Sequence, residues 1–488
     1  MTSTSMYDTT IPDHHRTAVT IAIAALVLGI AGDLLLRWIP WGVSALLWTV
    51  LFCAAARYCS GRVAWFPMIC ALLAATGILW RDSDTLVTLD VLLLLLFLPM
   101  IALEARGVRL AAAGLAEIAG GIIVTGAQMV IGLPQLIFRD LSWSRMPHVG
   151  GRSLGIAARG TLIAAPMLVI FGSLLASADP TFGRVLRDLL VFDPGEAVQH
   201  LIVTAIATVL CAGFLRSLAL SGPMPRPSAP PALSLPAAET NFALALLNIL
   251  FALFVAVQFR YFFGAAPAEL AQYARRGFFE LVWVVALIVP MLLMLEWLVT
   301  KERGFALFRG LAALQVTLVF IIAASAFHRM ELYRDEYGLT QLRFYTTAFM
   351  IWLAVLLLWF VCTVLTGRRQ RFAIGALATG VAAVVALHVI NPDGIIVETN
   401  IERTRAGKRS FDDQYARMLS DDAAPMVFAN RDVVGEKVFE RFLWRQHSTD
   451  WRTWNVSRAK ARELFLRIER HSPDRSPMTG SRIDSSVQ

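Results

Sequence analysis

One short segment places an acid and a base where they could act together. Tyr273–Leu281 reads YARRGFFEL, in which Arg276 and Glu280 are four residues apart. Residues with this spacing share one face of a helix, so the guanidinium and the carboxylate can pair. The pair has two interpretations: a structural ion pair at the entrance of a helix, or a preorganised carboxylate in a cleft.

A second segment is dense in charged and aromatic residues. His328–Arg343 reads HRMELYRDEYGLTQLR and lies between two apolar runs. A plain solvated loop is expected to be richer in Ser, Gly and Pro. The spacing of four between Tyr333 and Tyr337, and between Glu331 and Asp335, is typical of a helix face. The segment is therefore either a solvated helical extension or part of a polar site.

Both segments belong to a strongly apolar chain. Of its 488 residues 57% are hydrophobic and 16% are charged, and the mean hydropathy is +0.61. A soluble domain carries about 25% charged residues. The apolar runs approach the roughly 20 residues that cross a bilayer, and they lack the strict alternation of barrel strands. We predict an all-α, polytopic helical membrane bundle of about 12 transmembrane helices with a small helical soluble C-terminal tail.

Composition divides the chain into six parts. Ser221–Thr240 contains six prolines, which predict an extended linker. From Asn391 onward the chain carries 17 Lys and Arg against 15 Asp and Glu, as expected of a soluble tail. Twelve spans, among them a short sixth one at 161–177, place both termini on the same side. The predicted parts are a polar N-terminus (1–16), about seven membrane helices (17–218), the linker (219–240), about five membrane helices (241–390), the soluble helical tail (391–470) and a disordered C-terminus (471–488).

The basic residues and the missing motifs limit the partners. The formal net charge of +8 is explained by Arg and Lys that anchor helix ends among phosphate head groups. We therefore expect the lipid bilayer as a partner, no nucleic acid, and a possible protein partner through the tail. The chain contains no GxxxxGK[ST] or HExxH motif. Its eight histidines are scattered, so we expect no metal and no other cofactor.

Ionisable residues inside the apolar runs are a further group of candidates, because a charge at membrane depth is costly and usually serves a purpose. Most of them lie near the ends of their spans, where a side chain reaches the interface at little cost. Interface anchoring is the preferred interpretation for Asp33, Glu296 and Arg309, whereas Asp90 and Glu117 depend on where their helices begin. The whole group is Asp33, Asp90, Glu117, Glu280, Glu296 and Arg309.

The order of the spans predicts that four polar segments share one membrane face. Ser177–Phe182 closes the sixth span, and Arg260–Glu280 joins the eighth to the ninth. His328–Arg343 joins the tenth to the eleventh, and Asn391–Arg403 follows the twelfth. Each segment therefore follows an even-numbered span, whichever way the protein is oriented.

This shared face is the predicted site. We expect Glu280, Arg276 and the Arg329–Arg343 loop to lie within contact distance of Asn391–Arg403. The grouping is either a structural polar cap that seals helix ends, or a cleft for a polar ligand or lipid head group with Glu280 and Arg334 near its floor. The candidate residues are Asp179, Arg276, Glu280, Arg329, Glu331, Arg334, Asp335, Glu336, Arg343, Asn391 and Arg403.

Several of these stretches resemble a bacterial family of integral membrane proteins, domain of unknown function 4173, which is related to domain of unknown function 4153. The resemblance covers most of the chain from about residue 90 to residue 460. It implies a multi-pass protein of the bacterial inner membrane and supplies no mechanism. The stretches are RGTLIAAPMLVIF (159–171), LLASADPTF (174–182), YARRGFFEL (273–281), RMELYRDEYGLTQLR (329–343), NPDGIIVETNIER (391–403), FDDQYARMLSDDAAP (411–425) and WRTWNVSR (451–458).

Three classes of function stay open from the sequence. A sensory, assembly or cell-envelope protein would use the tail to contact a partner. A transporter or flippase would place Glu280 and the arginines on a path across the bilayer, for a polar or lipid substrate. A membrane-embedded enzyme would gather a carboxylate and arginine site at one membrane face. The unequal division by the proline linker gives no support to inverted repeats, and the missing motifs weigh against the enzyme. We therefore favour the first class.

Overall fold

The computed structural model describes residues 14–37, 39–62, 64–141, 194–224, 235–264, 278–300, 304–408, 410–443, 445 and 449–471, together with four single positions between 171 and 179. The secondary structure of these residues is helical, and they form no β-strand. The predicted all-α class is therefore confirmed. The prolines at 225–231 and the end of the chain after 471 lie outside the described residues, and so does the predicted sixth span apart from Phe171 and Leu175.

Ten helices among the described residues are long and apolar enough to cross a bilayer, and a shorter apolar helix, α3, joins them. These helices are α1 (His14–Leu36), α2 (Val43–Ser60), α3 (Trp65–Trp80), α4 (Asp84–Ala105), α5 (Leu115–Gln135), α6 (Pro194–Ala219), α7 (Ala237–Gly264), α8 (Phe278–Leu298), α9 (Phe305–Tyr337), α10 (Gln341–Phe360) and α11 (Phe372–Ile390). Two of them continue through one π turn, α5 to Asp140 and α10 to Leu365.

The first membrane part packs around α1, α2 and α6. Phe52 of α2 and Phe214 of α6 are fully buried, with ring centroids 4.8 Å apart. The second membrane part packs around α7, α8, α9 and α10. Asn241 and Asn248 of α7 donate to the carbonyls of Gly304 and Leu311, at 3.0 and 3.1 Å, so α7 and α9 run in the same direction.

Helix α11 ties the two membrane parts together. It belongs to the second part by sequence, and its first residue, Phe372, packs against Phe360 of α10. Further along, Val381 lies in a buried cluster with Phe97 and Met100 of α4. The contact between the two parts is therefore formed largely by α11 on one side and by α3 and α4 on the other.

The tail is a small helical unit with its own core. Its helices are α12 (Pro392–Arg405), α13 (Asp413–Ala416), α14 (Ala424–Ala429), α15 (Glu436–Leu443) and α16 (Val456–His471). Val397, Val427 and Val438 are fully buried in that core. Asn391 separates the tail from α11: it adopts the left-handed conformation at φ 58°, and its side chain accepts a hydrogen bond from Gly394 N. Asparagine tolerates this conformation better than most residues.

The tail packs on one end of the bundle, which we call the tail face. Arg452 donates to the carbonyl of Leu34 at the end of α1, at 2.9 Å, and Asn455 donates to that of Ile78 at the end of α3, at 2.8 Å. Leu339, between α9 and α10, lies in the tail core. The C-terminal ends of α1, α3, α9 and α11 therefore meet at the tail face.

The opposite face holds the other ends of these helices. Arg62, after α2, donates to Ala105 O at the end of α4, at 2.7 Å, and Arg106 donates to Gly222 O after α6, at 3.1 Å. Helix α1 has 23 residues, about 34 Å at 1.5 Å per residue, so it also begins there. Within the described residues, the start of α1 and the tail therefore lie at opposite faces, which contradicts the expectation that both termini share one side.

Reporter fusions test this topology. A reporter fused before α1 and one inserted after Gly222 should report the same compartment, whereas one fused after His471 should report the other. The physical reason is that α1 begins, and α6 ends, at the face opposite the tail. An N-terminal reporter in the same compartment as the tail reporter would restore an even number of crossings and contradict the structure.

Candidate functional site

The structure brings the predicted Arg329–Arg343 loop against α12. Arg403 donates from Nη1 to the carbonyls of Arg334 and Asp335, at 3.1 and 2.6 Å, and from Nη2 to that of Glu336, at 3.2 Å. These carbonyls belong to the last turn of α9, where a helix leaves carbonyl groups without intrahelical partners. The carbonyl of Arg334 also accepts the backbone N–H of Gly338, at 2.8 Å. Arg403 therefore caps α9, and Asp335 and Glu336 take part through their backbones.

Asn400, one helical turn before Arg403 in α12, binds the backbone of Leu339 just after the end of α9. Its Oδ1 accepts from Leu339 N and its Nδ2 donates to Leu339 O, both at 2.9 Å. Gly338 adopts φ 78°, and a Cβ there would lie 2.8 Å from Asn400 Oδ1. A glycine is required both by the backbone conformation and by this close approach.

The aromatic residues of the loop hold Arg343. Its guanidinium lies over the Tyr333 ring at 4.2 Å and near the Tyr337 ring at 5.9 Å, and it donates to Gly338 O. A cation over an aromatic face contributes about 0.5–2 kcal/mol. Arg343 thus stabilises the α9–α10 turn.

The side chains of the remaining described candidates take no part in the hydrogen bonds that Arg403 donates. Arg329 is buried in α9, whereas Glu331 and Arg334 are half exposed and 4.0 Å apart, which makes a weak pair. Glu280 is exposed in the first turn of α8, and its predicted partner Arg276 lies outside the described residues. The Glu280–Arg276 pair is therefore not tested. The backbone N–H of Asp179 donates to Leu175 O at 3.0 Å.

The contact between the tail and the α3–α4 turn, which we call the junction, is centred on Asp422, a residue that was not predicted from the sequence. Its carboxylate is 1% exposed and accepts the backbone N–H groups of Asp82 and Ser83, both at 2.9 Å. It also accepts the hydroxyls of Ser457 and Ser420, the latter at 3.2 Å. A carboxylate at this position satisfies N–H groups at the start of α4 and complements the positive end of that helix.

Asn455 connects two helix ends at once. Its Nδ2 donates to the carbonyls of Ile78 and Arg81 at the end of α3, both at 2.8 Å. Its Oδ1 accepts from the backbone N–H of Ser457, at 2.8 Å, at the start of α16. Asn455 is fully buried, so each of these groups would lose its partner without replacement if the side chain were removed.

Two ion pairs continue the junction towards its edge. Arg458 donates from Nε to Asp82 at 2.6 Å, and Arg445 donates to Asp421 at 2.9 Å. Asp82 in turn accepts the backbone N–H of Asp421, at 3.3 Å. Burial raises the pKa of the Asp82 carboxyl above its usual range, and the neighbouring Arg458 opposes that rise. The charges of Asp82 and Arg458 are thus largely compensated within the protein.

Asp393 joins α12 to α10 and to the tail core. It is fully buried, and it accepts from Gln341 Nε2 at 2.8 Å and from the Ser420 hydroxyl at 2.6 Å. Burial raises the pKa of its carboxyl, and the hydrogen bonds from Ser420 and Gln341 oppose the shift. Asp393 is one of the polar residues of the predicted fourth segment, and its contacts are structural.

A polar pocket of about 360 Å³ opens between the docked tail and the membrane helices. Its walls come from the α1–α2 turn, the start of α4, the start of α10 and the tail. The lining residues are Pro40, Asp82, Asp84, Gln341, Met418, Ser420, Asp421, Arg445, Thr453 and Arg458. Since no single segment forms this pocket, it exists only while the tail is docked. We call it the junction pocket.

Two of the ionisable residues within the apolar runs are paired with side chains of other segments. Asp33 is 5% exposed and contacts His200 Nδ1, and Glu296 is 5% exposed and lies 2.9 Å from Arg369. Both were expected to anchor at the interface, and instead they are buried and paired.

The other membrane-depth residues divide between surface and interior. Glu117 is half buried in the first turn of α5, and Arg309 is exposed in α9. Asp90 is buried within α4, and its Oδ2 lies 3.0 Å from Nε2 of His388 in α11. Among the described residues no group of three His, Cys, Asp or Glu side chains has the arrangement of a metal site.

Four residues of these contacts were not predicted from the sequence: Asp422, Asn455, Ser457 and His388. The first three belong to the stretches FDDQYARMLSDDAAP and WRTWNVSR, so polar residues in non-apolar stretches of the tail were an available signal. His388 lies in the last turn of α11, within an apolar run that has no such mark. Its position inside that apolar run was the sequence feature that could have singled it out.

The family comparison agrees with this architecture. The family described as Domain of unknown function (DUF4153) matches residues 68–428, which include α3, α4, α11 and Asp422. No curated protein matches the chain, and no solved structure does. Of the two related families that the sequence resembles, the match shows domain of unknown function 4153 and does not show 4173. The chain belongs to the DUF4153 family, as a multi-pass, all-α protein with a helical tail docked on its membrane helices.

Proposed function

We propose that the protein is a membrane-embedded sensor of the bacterial inner membrane, in which docking of the tail is the variable output. The observation that carries this proposal is that turns from both membrane parts form the surface on which the tail docks. The α1–α2 and α3–α4 turns come from the first membrane part, and the α9–α10 turn comes from the second. A shift between the two parts would therefore change the fit of the tail.

The junction pocket supplies a place for an effector. Its lining carries three carboxylates and two guanidinium groups, which suits a small polar ligand with charges of both signs. A ligand that touches both walls binds the docked tail and not the released one. It would stabilise docking in proportion to the logarithm of its concentration above its dissociation constant.

Cysteine accessibility tests whether docking is reversible. Ser83→Cys places a thiol under the tail, at a position that is 1% exposed, and Val427→Cys places one in the tail core. In full-length protein in nanodiscs, we expect a water-soluble maleimide to modify Ser83→Cys at least about tenfold faster than Val427→Cys. Release of the tail exposes the first position, whereas only unfolding of the tail exposes the second.

Met418→Cys is the matched control, because Met418 lines the same pocket and is 72% exposed. It should react at the rate of a free thiol. Mass spectrometry of the modified peptides separates each site from the five native cysteines. Equal rates for Ser83→Cys and Val427→Cys would mean that the tail leaves only by unfolding, and the sensor proposal would fail.

Ion-coupled transport is a second candidate, and a specific observation favours it. Asp90 and His388 form a buried pair inside the membrane helices, and transporters use such groups in relays. Transport would also require a continuous path through the bundle. Tail release without ion flux into liposomes would favour the sensor.

A further inference from the structure

The pair formed by Asp90 and His388 lies at the contact between the two membrane parts. Asp90 is in the second turn of α4 and is 1% exposed, and His388 is in the last turn of α11 and is 3% exposed. A cavity of about 80 Å³ adjoins them. Helix α3 approaches so closely that a Cβ on Gly77 would lie 2.5 Å from Asp90 Oδ2 and 2.6 Å from His388 Nε2.

The hydrogen-bond partners of the imidazole fix how many protons it carries. Nδ1 lies 2.8 Å from the carbonyl oxygen of Val384, which can only accept, so Nδ1 bears a hydrogen. The 3.0 Å contact between Nε2 and Asp90 Oδ2 then needs a second proton between the two atoms. That proton makes either an imidazolium with a carboxylate or an imidazole with a carboxylic acid. Both arrangements are neutral overall.

We propose that Asp90 and His388 form a proton-binding site within the membrane, at the α4–α11 contact. Loss of the shared proton leaves a ring lone pair facing a carboxylate and a net negative charge at membrane depth, where a charge is costly. The folded protein therefore holds this proton more tightly than an isolated histidine does. The inference goes beyond the proposed function and does not depend on tail release.

The charged groups around the imidazole connect it to the tail face. Arg81, at the end of α3, donates from Nε to the backbone carbonyl of His388 at 2.7 Å, and its Nη1 lies 3.5 Å from Asp422 of the tail. Helix α10 contributes Tyr345, whose hydroxyl is directed to Ser83 Oγ at 3.3 Å. Asp90 is thus the acidic partner of the ring, and Arg81 is the cation that links the end of α11 to the tail.

Unfolding measured against pH tests the site. An unfolded histidine releases its proton near pH 6.5. Above that pH the folded state binds one more proton, so stability is fully present below pH 6.5 and falls as pH rises. In nanodiscs, between pH 7 and 9, we expect the unfolding constant of the native protein to rise up to about tenfold per pH unit more than that of Asp90→Asn. The asparagine amide donates to a neutral ring and has no proton to lose.

Equal pH slopes for the two proteins would overturn the proposal. A second measurement follows the native protein, and His388→Gln serves only to assign the signal. In the nuclear magnetic resonance spectrum of histidine-labelled protein, the His388 ring signal is the one that is missing in His388→Gln. This signal should not change between pH 6 and 8. A change in the His388 ring signal within that pH range would show that the shared proton is not retained.

Discussion

Replacing Asp422 by alanine is expected to release the tail from the α3–α4 turn. The change removes the acceptor of two backbone N–H groups, those of Asp82 and Ser83, and of the Ser457 hydroxyl. A buried donor without a partner costs about 1–3 kcal/mol. We expect docking to weaken by about 3 kcal/mol or more, a factor of more than about one hundred. Hydrogen exchange of the α3–α4 turn, measured in full-length protein in nanodiscs, reports this change directly.

Asp432→Ala is the matched control for that experiment. Asp432 also pairs with an arginine of the tail, Arg405, at 3.0 Å, but its side chain is 66% exposed. An exposed pair contributes about 0–1 kcal/mol, so exchange at the α3–α4 turn should stay within about fivefold of the native protein. If Asp422→Ala exchanged no faster than Asp432→Ala, the carboxylate would not hold the tail. The tail core, with Val427 and Val438, should keep its protection in both variants.

The sequence predicts the helices and the position of the tail well, because both depend on composition over many residues. An apolar run near 20 residues has one stable form in a bilayer, and the change of composition at Asn391 marks the end of the last membrane helix. Parity also predicts that 329–343 and 391–403 face the same side. In the structure, Arg403 and Asn400 make that contact through backbone groups of residues 334–339.

The junction itself could not be predicted from local patterns. Asp422 meets N–H groups about 340 residues away in the chain, and Asn455 meets carbonyls 377 and 374 residues away. Such a contact depends on where two helix ends come to lie, and backbone groups have no sequence signature. The charged residues of 328–343 were the conspicuous candidates, and their main partner, Arg403, uses their carbonyls. The conspicuous charged side chains of this segment were therefore not the groups that hold it against α12.

The position of α11 explains why the tail, the junction pocket and the Asp90–His388 pair belong to one region. Helix α11 packs on α3 and α4 of the first part, and it continues through Asn391 into α12 of the tail. Any tilt of α11 therefore moves the base of the tail and the His388 ring together. Arg81 links the same three elements through hydrogen bonds. A rearrangement at this contact would reach the tail without passing through α1, α2 or α6.

Gly213→Ala is expected to give the largest loss of stability in the membrane part. Gly213 of α6 crosses α5 where an added Cβ would lie well inside van der Waals contact with the carbonyl oxygens of Gln128 and Met129. These are backbone atoms, so the helices themselves must separate. Small residues allow this kind of close approach between membrane helices. Overpacking at such a site costs about 1–3 kcal/mol or more, which should lower the thermal unfolding midpoint in detergent by several degrees.

Two further glycines on α5 complete the test. A Cβ on Gly132 would lie 2.5 Å from Gly213 Cα, so Gly132→Ala should destabilise the protein as Gly213→Ala does. Gly126, on the same helix, has no heavy atom within 4 Å of its added Cβ. Gly126→Ala should therefore be neutral, or stabilising by up to about 1 kcal/mol through the better helix propensity of alanine. If all three variants unfolded at the same temperature, α5 and α6 would not cross at Gly213. If Gly132→Ala and Gly213→Ala both lose stability, the double variant should cost less than their sum, because the first change already separates the two backbones.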